Sequence, residues 1–282
     1  MNLVFSLKHF QRAIRVYQWT KNSLLFVPYV LVAAISKKNL DQSIIAFFSF
    51  SLVASAGYIF NDALDKSADQ KHKSKKNRPI ALGIIKLTTA YYMAFILILC
   101  GISLSLMLNK YFSFSLIIYG VLSYTYSFWL KRYAYIDLFI LGLCYLVRLI
   151  AGYLVIDLQA PSPLLAIAFT FFIGLASLKR YIEISDHSLI NQKIERRGYK
   201  FQDSRKVLFI GLTTGFILPT FFLFETSIFE LKWFLLLILM ALGNLWYRAY
   251  KKNLDDDPLY SFLTDRFSYI TLGVGLFLKI YS

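Results

Sequence analysis

The sequence predicts an all-α protein: a polytopic membrane bundle of about nine transmembrane helices around a central cavity open to the cytoplasmic side. Three observations predict it. Apolar residues make up 57% of the 282 residues, and the mean hydropathy is +0.55, whereas soluble domains are nearer half apolar. The apolar residues fall in long blocks, several approaching the roughly 20 residues a helix needs to cross the hydrocarbon core. The intervening segments alternate between basic and nearly uncharged.

In chain order, residues 1–22 form a basic amphipathic stretch on the membrane surface. Lys8, Arg12 and Arg15 come before any long apolar run, so the stretch is not a secretory signal peptide. Apolar blocks bounded by charge then place spans at 23–36, 43–60, 87–108, 112–130, 135–156, 162–178, 206–224, 231–249 and 266–281. The whole chain, 1–282, reads as one membrane domain. Its two functional loops are 61–86 and 179–206. Each loop follows a run of small residues, Ala54-Ser55-Ala56-Gly57 and Gly174-Leu175-Ala176-Ser177, which hints at two related halves.

Lys and Arg number 25 in the segments 1–22, 61–86, 131–132, 179–206 and 248–266, against 5 in the opposite loops. The positive-inside rule places the rich side in the cytoplasm. The net charge of +15 is then topological, and no nucleic-acid partner is expected. Cys100 and Cys144 lie inside apolar spans, and His9, His72 and His187 are scattered. None of these suggests a disulfide framework, a thiol nucleophile or a metal site.

The chemistry gathers in the basic segments. Asn61-Asp62-Ala63-Leu64-Asp65-Lys66-Ser67-Ala68-Asp69 puts three carboxylates at i, i+3 and i+7, one face of a helix. Such repulsion is relieved by a divalent cation. Mg²⁺ takes one or two carboxylates and fills its other sites with water and phosphate oxygens. Lys71, Lys73, Lys75, Lys76 and Arg78 follow, bases suited to phosphate, although the lysines alone are better read as topogenic. The second loop begins Lys179-Arg180-Tyr181-Ile182-Glu183 and continues to Asp186. Its bases can grip a phosphate and its acids a metal or a sugar hydroxyl; a set of surface ion pairs is the alternative. A third segment runs from Asp255-Asp256-Asp257-Pro258 to Asp265-Arg266. Asp137 and Arg148 lie near or within a span, where charge generally faces a cavity or a partner. Tyr124 and Tyr126 precede Lys131, and Gln18-Trp19-Thr20-Lys21-Asn22 stands at the mouth of the first span, where a lipid phosphate could sit.

The NDxxDxxxD pattern after the second span resembles the UbiA superfamily of intramembrane prenyltransferases, over nearly the whole chain. Gln18 to Asn22, Asn77-Arg78-Pro79-Ile80-Ala81, Lys131 with Asp137, Lys179 to Glu183, and Asp257-Pro258 through Asp265-Arg266 resemble its decaprenyl-phosphate phosphoribosyltransferase branch. The resemblance implies a multi-pass enzyme of the bacterial inner membrane with its site toward the cytoplasm. It implies Mg²⁺ on Asp62, Asp65 and Asp69, with Lys179, Arg180 and Glu183 completing the catalytic set. Substrate contacts would come from Lys21, Asn22, Asn61, Lys76, Arg78, Tyr124, Tyr126, Lys131, Arg148, Tyr181, Asp186, Asp265 and Arg266. The implied donor is phosphoribosyl pyrophosphate and the acceptor a polyprenyl phosphate. No oligomeric partner is assigned. The second loop departs from the DxxxD motif of the aromatic prenyltransferases, which makes a second fully acidic metal site doubtful. An aromatic prenyltransferase using a polyprenyl diphosphate remains the rival reading, and a transporter the more remote one.

Overall fold

The computed structural model describes residues 7–31, 36–71, 75–185, 198–225, 229–251, 261, 265–268 and 270. Secondary structure among them is helical. The α-helices are α1 (Leu7–Ile14), α2 (Val27–Leu31), α3 (Lys37–Leu64), α4 (Lys66–Gln70), α5 (Leu87–Ser105), α6 (Lys110–Phe128), α7 (Ile136–Val155), α8 (Ser162–Ser185), α9 (Ser204–Leu212), α10 (Leu218–Glu225) and α11 (Phe229–Tyr250). Among the described residues four stretches are long and apolar enough to cross a membrane: Lys37–Leu64, Leu87–Leu106, Ile136–Val155 and Ser162–Ser185.

The chain divides into two compact units. One comprises Met1–Phe128 with Val147–Gln159, and the other Trp129–Leu146 with Ala160–Ser282. Helix α7 contributes its first half to the second unit and its last turns to the first.

In the first unit α3 packs chiefly on α5 and α6. Serine and alanine make this possible: Ser49, Ala54, Ser55 and Ala56 are buried along α3. Small side chains let membrane helices approach closely. The Ser49 hydroxyl donates to the Gly101 carbonyl of α5 at 2.7 Å. Ser36 caps α3 by accepting from the Asn39 amide at 3.1 Å, the usual role of serine at a helix start.

In the second unit α8 packs on α9 and α10. Between those two helices the chain makes a π turn, Thr213–Ile217. The turn sets Gly215 against Gly174 of α8 so closely that a Cβ on Gly174 would lie 2.7 Å from the Gly215 Cα.

Several boundaries differ from the sequence expectation. The first predicted span, 23–36, begins as a 3₁₀ stretch, Val16–Phe26, running into the five-residue α2. Pro28 lies in α2 and cannot donate to the helical ladder. Helix α3 continues past residue 60 to Leu64, so Asn61 and Asp62 sit on helix. Helix α8 runs past 178 to Ser185 and carries Lys179, Arg180 and Glu183 with it. The single helix face drawn through Asp62, Asp65 and Asp69 is broken: Asp65 ends α3 at φ −89°, ψ 7° and α4 restarts at Lys66. Most of the last span, 266–281, lies outside the described residues.

Candidate active site

The first unit concentrates charge where α3 ends. The Trp19 indole donates to the Ser55 hydroxyl at 3.0 Å, and that hydroxyl donates to the Ile14 carbonyl at 2.8 Å. This pins the chain after α1 onto α3. Arg15 turns there with a left-handed φ of 52°, a conformation that costs a non-glycine residue of order 1 kcal/mol. Its Nη2 donates to Asp62 Oδ1 at 2.5 Å, and its guanidinium lies 5.0 Å from the centre of the Tyr58 ring. The Arg15 pKa is raised: burial alone would lower it, and Asp62 leads the charges that outweigh burial.

Arg78 closes the cluster. Its Nη1 donates to Asp62 Oδ1 at 2.9 Å and to Asp69 Oδ2 at 2.6 Å. Lys75 Nζ stands 3.9 Å from Asp69 Oδ1. Asp62 and Asp69 are both buried, so two carboxylates on different helices converge on one cationic nitrogen. Among the described residues no group of three His, Cys, Asp or Glu side chains is placed to hold a metal ion. The donor set nonetheless fits Mg²⁺, which needs only one or two carboxylates when phosphate oxygens and water supply the rest. Asp62 and Asp69 are the two carboxylates brought together here.

A second polar cluster lies within the same unit, deeper in the apolar region. Arg148 Nε donates to Asn22 Oδ1 at 2.7 Å and Nη2 to the Tyr119 hydroxyl at 2.8 Å. Asn22 Nδ2 donates in turn to the Ser51 hydroxyl at 2.9 Å. Lys21 is buried beside Asn22. Tyr124 packs edge-on against Phe60, with ring centres 5.6 Å apart, and Tyr126 is half-buried. Asn61 and Asp65 are half-buried and Lys76 is exposed.

The second unit has its own network. Arg180 is clamped on α8: Nε donates to Asp137 and Nη1 to Glu183. All three are enclosed, at 2%, 0% and 5% exposure. The Tyr199 hydroxyl donates to the other Asp137 oxygen and accepts from the Tyr135 amide at 2.9 Å. The Tyr135 hydroxyl donates to Asp203 Oδ1 at 2.9 Å. Tyr135 and Gly198 both have left-handed φ, 66° and 68°. A Cβ on Gly198 would also stand 2.9 Å from the Arg132 carbonyl. Residues 198–203 are thereby clipped to the start of α7. The Tyr135 pKa is pushed up to about 12, by burial first and then by its bond to Asp203. Burial and Asp137 push the Tyr199 phenol well above its ordinary range.

Lys179 is half-buried and Tyr181 leans on Trp246 at 5.8 Å. Lys131 is half-buried in a 3₁₀ turn before α7. Asp265 accepts from Arg248 Nη1 at 2.5 Å and from Asn244 at 3.2 Å, and Arg266 is exposed. Asp186 and the Asp255–Pro258 segment lie outside the described residues. Sequence reasoning did not single out Arg12, Arg15, Tyr199 or Asp203. Arg15 was counted as loop charge, and its partner is 47 residues away. Tyr199 has no sequence signal among 20 tyrosines.

The sequence profile of the UbiA prenyltransferase family matches residues 23–268. The chain belongs to that family. The fold agrees: a UbiA homologue from Archaeoglobus fulgidus bound to GPP and Mg²⁺ superposes with a TM-score of 0.76. That match covers 96% of this chain and 99% of the other at 16% identity. Among curated UbiA relatives, the decaprenyl-phosphate phosphoribosyltransferase of Mycolicibacterium smegmatis is 32% identical over 199 residues, 68% of this chain and 60% of that protein. An uncharacterized protein, y4nM, of Sinorhizobium fredii is 31% identical over 270 residues, 91% of this chain and 52% of its own length. The chain thus spans between half and three fifths of these two relatives. The 4-hydroxybenzoate octaprenyltransferase of Coxiella burnetii is 28% identical over 262 residues, 89% of this chain and 88% of that one. The chain is a membrane-embedded member of the UbiA family.

Proposed function

We propose that this transferase is Mg²⁺-dependent and moves 5-phosphoribose from phosphoribosyl pyrophosphate to a polyprenyl phosphate. The product, polyprenyl-phosphoryl-5-phosphoribose, would feed cell-envelope glycan synthesis. The observation that carries the reading is the mixed character of the Lys179–Glu183 segment. Arg180 is clamped by two carboxylates and Lys179 stands beside it. Bases so placed suit a donor with an extra phosphate, whereas an isoprenoid diphosphate calls for a second acidic pair. The similarity to the decaprenyl-phosphate phosphoribosyltransferases supports the same substrate class.

Asp62 and Asp69, with Asp65, would hold Mg²⁺ on the pyrophosphate of the donor, and Asn61 would support that site. When bound, the ion supplies charge neutralisation to the departing pyrophosphate. Arg78, Lys76 and Arg15 add fixed positive charge around the same oxygens. Lys179 would take the 5-phosphate, and Glu183, oriented by Arg180, would accept from a ribose hydroxyl. The bond from ribose C1 to the pyrophosphate oxygen breaks while an oxygen of the lipid phosphate bonds to C1 from the opposite face. Pyrophosphate leaves. The nucleophile is already an anion, so no general base is needed. Positioning and preset electrostatics carry the acceleration. Lys21, Asn22 and Arg148 suit the acceptor phosphate. The reading includes nine spans in a bacterial inner membrane, with 61–86 and 179–206 on the cytoplasmic side.

One observation favours a second reading: the likeness to 4-hydroxybenzoate octaprenyltransferase covers nearly the full length of both chains. A radiolabel transfer assay separates the two. Purified protein, Mg²⁺, labelled phosphoribosyl pyrophosphate and a polyprenyl phosphate are mixed and extracted into organic solvent. Label in the organic phase that depends on both lipid phosphate and Mg²⁺ supports phosphoribosyl transfer. No such label, with prenyl transfer from a polyprenyl diphosphate to 4-hydroxybenzoate instead, overturns it in favour of the aromatic prenyltransferase.

A further inference from the structure

The second unit carries a run of bonded groups that ends on Glu183. Arg180 and Glu183 pair across one turn of α8, and Arg180 turns its Nε to Asp137 at the start of α7. A guanidinium on a long arm has many rotamers to lose. With Nε on one carboxylate and Nη1 on another, its plane is set from two sides. The Asp137 carboxylate is fixed in turn. Arg180 takes one of its oxygens, and the Tyr199 hydroxyl, 62 residues away in the chain, takes the other. Chemistry settles the direction of that last bond. The Tyr135 amide reaches the same hydroxyl at 2.9 Å, and a backbone N–H can only donate. The phenol therefore accepts there and gives its single proton to Asp137. Its ring has little freedom: Tyr199 is buried with Ile184 and Val207, and Tyr135 meets it edge-on with ring centres 5.5 Å apart.

We propose that Tyr199 is a positioning residue of the transfer site: its hydroxyl orients Asp137 and, through Asp137 and Arg180, the carboxylate of Glu183. The proposal rests on the transferase reading for the duty of Glu183 toward the ribose, and Tyr199 itself touches no substrate. Tyr199 stands where the chain returns from the second loop. Docking of 198–203 on α7 and alignment of Glu183 on α8 then become one event. A plain fastening is the competing account, in which the bond holds 198–203 on α7 and does nothing more. Tyr135 tells the two apart. Its hydroxyl fastens the same segment through Asp203 Oδ1 at 2.9 Å and gives its proton there, not to Asp137.

The test compares Tyr199→Phe with Tyr135→Phe in the full chain in lipid nanodiscs. Each change removes one hydroxyl and keeps the ring. Phosphoribosyl transfer is followed as kcat and as KM for each substrate. Tyr199→Phe should lower kcat/KM for phosphoribosyl pyrophosphate about tenfold, part of what a misplaced group costs, with KM for the polyprenyl phosphate unchanged. Tyr135→Phe should transfer at the wild-type rate. In a Glu183→Gln background, Tyr199→Phe should cost nothing further. No loss in Tyr199→Phe, an equal loss in Tyr135→Phe, or the same loss with and without Glu183 overturns the relay. Thermal unfolding reads the same cycle without any substrate. The melting shifts of Tyr199→Phe and Glu183→Gln should be non-additive, because groups on one network couple. Strictly additive shifts overturn the relay whatever the protein transfers. Non-additive shifts in a protein that transfers no phosphoribose leave the relay standing and remove the reading.

Discussion

Arg148 and Asn22, 126 residues apart in the chain, meet in a 2.7 Å hydrogen bond inside the apolar part of the first unit. The bond ties the end of α7 to the 3₁₀ stretch before α2, and Asn22 passes it on to Ser51 of α3. One amide therefore holds three segments in register. A buried guanidinium without its acceptors carries a desolvation cost.

Asn22→Leu should destabilise the protein by about 2 kcal/mol, because the Arg148 Nε–H loses its acceptor in a dry setting. Asn22→Asp, which keeps an acceptor oxygen, should melt at or above the wild-type temperature. Thermal unfolding in detergent reads both. Equal melting of the Leu variant and wild type would show that the bond holds nothing.

Asp62→Asn or Asp69→Asn should cut label transfer by about 10²–10³-fold, the usual cost of removing one preset electrostatic group from a reacting site. Both variants should elute and melt as folded protein, since Arg15, Arg78 and the helix frame remain. Normal turnover in either would remove the metal role assigned to that carboxylate.

Arg180→Gln leaves Asp137 and Glu183 enclosed without their shared cation. The expected loss is about 3–5 kcal/mol, typical for breaking a buried pair from one side. Asp137→Asn combined with Arg180→Gln should recover part of it, because the second change removes one stranded charge. A double variant no more stable than Arg180→Gln alone would argue that Asp137 and Arg180 are not coupled.

The clip of 198–203 onto α7 should depend on pH at both extremes. The Lys200 amide, then the Tyr135 hydroxyl, hold the Asp203 pKa below its ordinary value. A depressed carboxylate contributes stability above its unfolded pKa of about 3.9 and loses it as pH falls through the lower folded value. Tyr135 has the opposite sign. Its raised pKa contributes fully below about 10 and is lost as pH climbs toward about 12. Protection of the Tyr135 amide against hydrogen exchange should therefore be level through neutrality and fall only in acid below about pH 4, or in strong base. Protection already falling between pH 5 and 8 would contradict this.

The apolar blocks at 87–108, 112–130, 135–156 and 231–249 are helices within a few residues of their predicted ends, because length and hydropathy suffice to mark a span. Where polar residues continue a helix beyond its apolar part, the pattern looks like a loop. Asn61-Asp62 and Lys179–Glu183 were read that way, yet both sit on helices prolonged by pairing with distant groups. The Asp62–Asp69 pair was legible from spacing. Its meeting through Arg78 was not, since that depends on the break at Asp65 and on where a later turn returns. Arg15 was hidden for the same reason, its partner being set by tertiary packing and not by neighbours in the chain.

Gly174 meets Gly215 backbone to backbone across α8 and the π turn, and every atom that a Cβ on Gly174 would first meet belongs to main chain. A core pair such as Leu and Val can trade volume, one shrinking as the other grows. Here both partners are already at the minimum, so no compensating exchange exists. Among relatives that keep the π turn, Gly174 should vary least of all in α8 and Gly215 least in the turn, fixed together without any charge, ligand or catalytic duty. Invariance at Gly174 would then record a contact between two stretches of main chain, and should not be counted as a mark of chemistry at the Lys179–Glu183 segment a few residues further along the same helix.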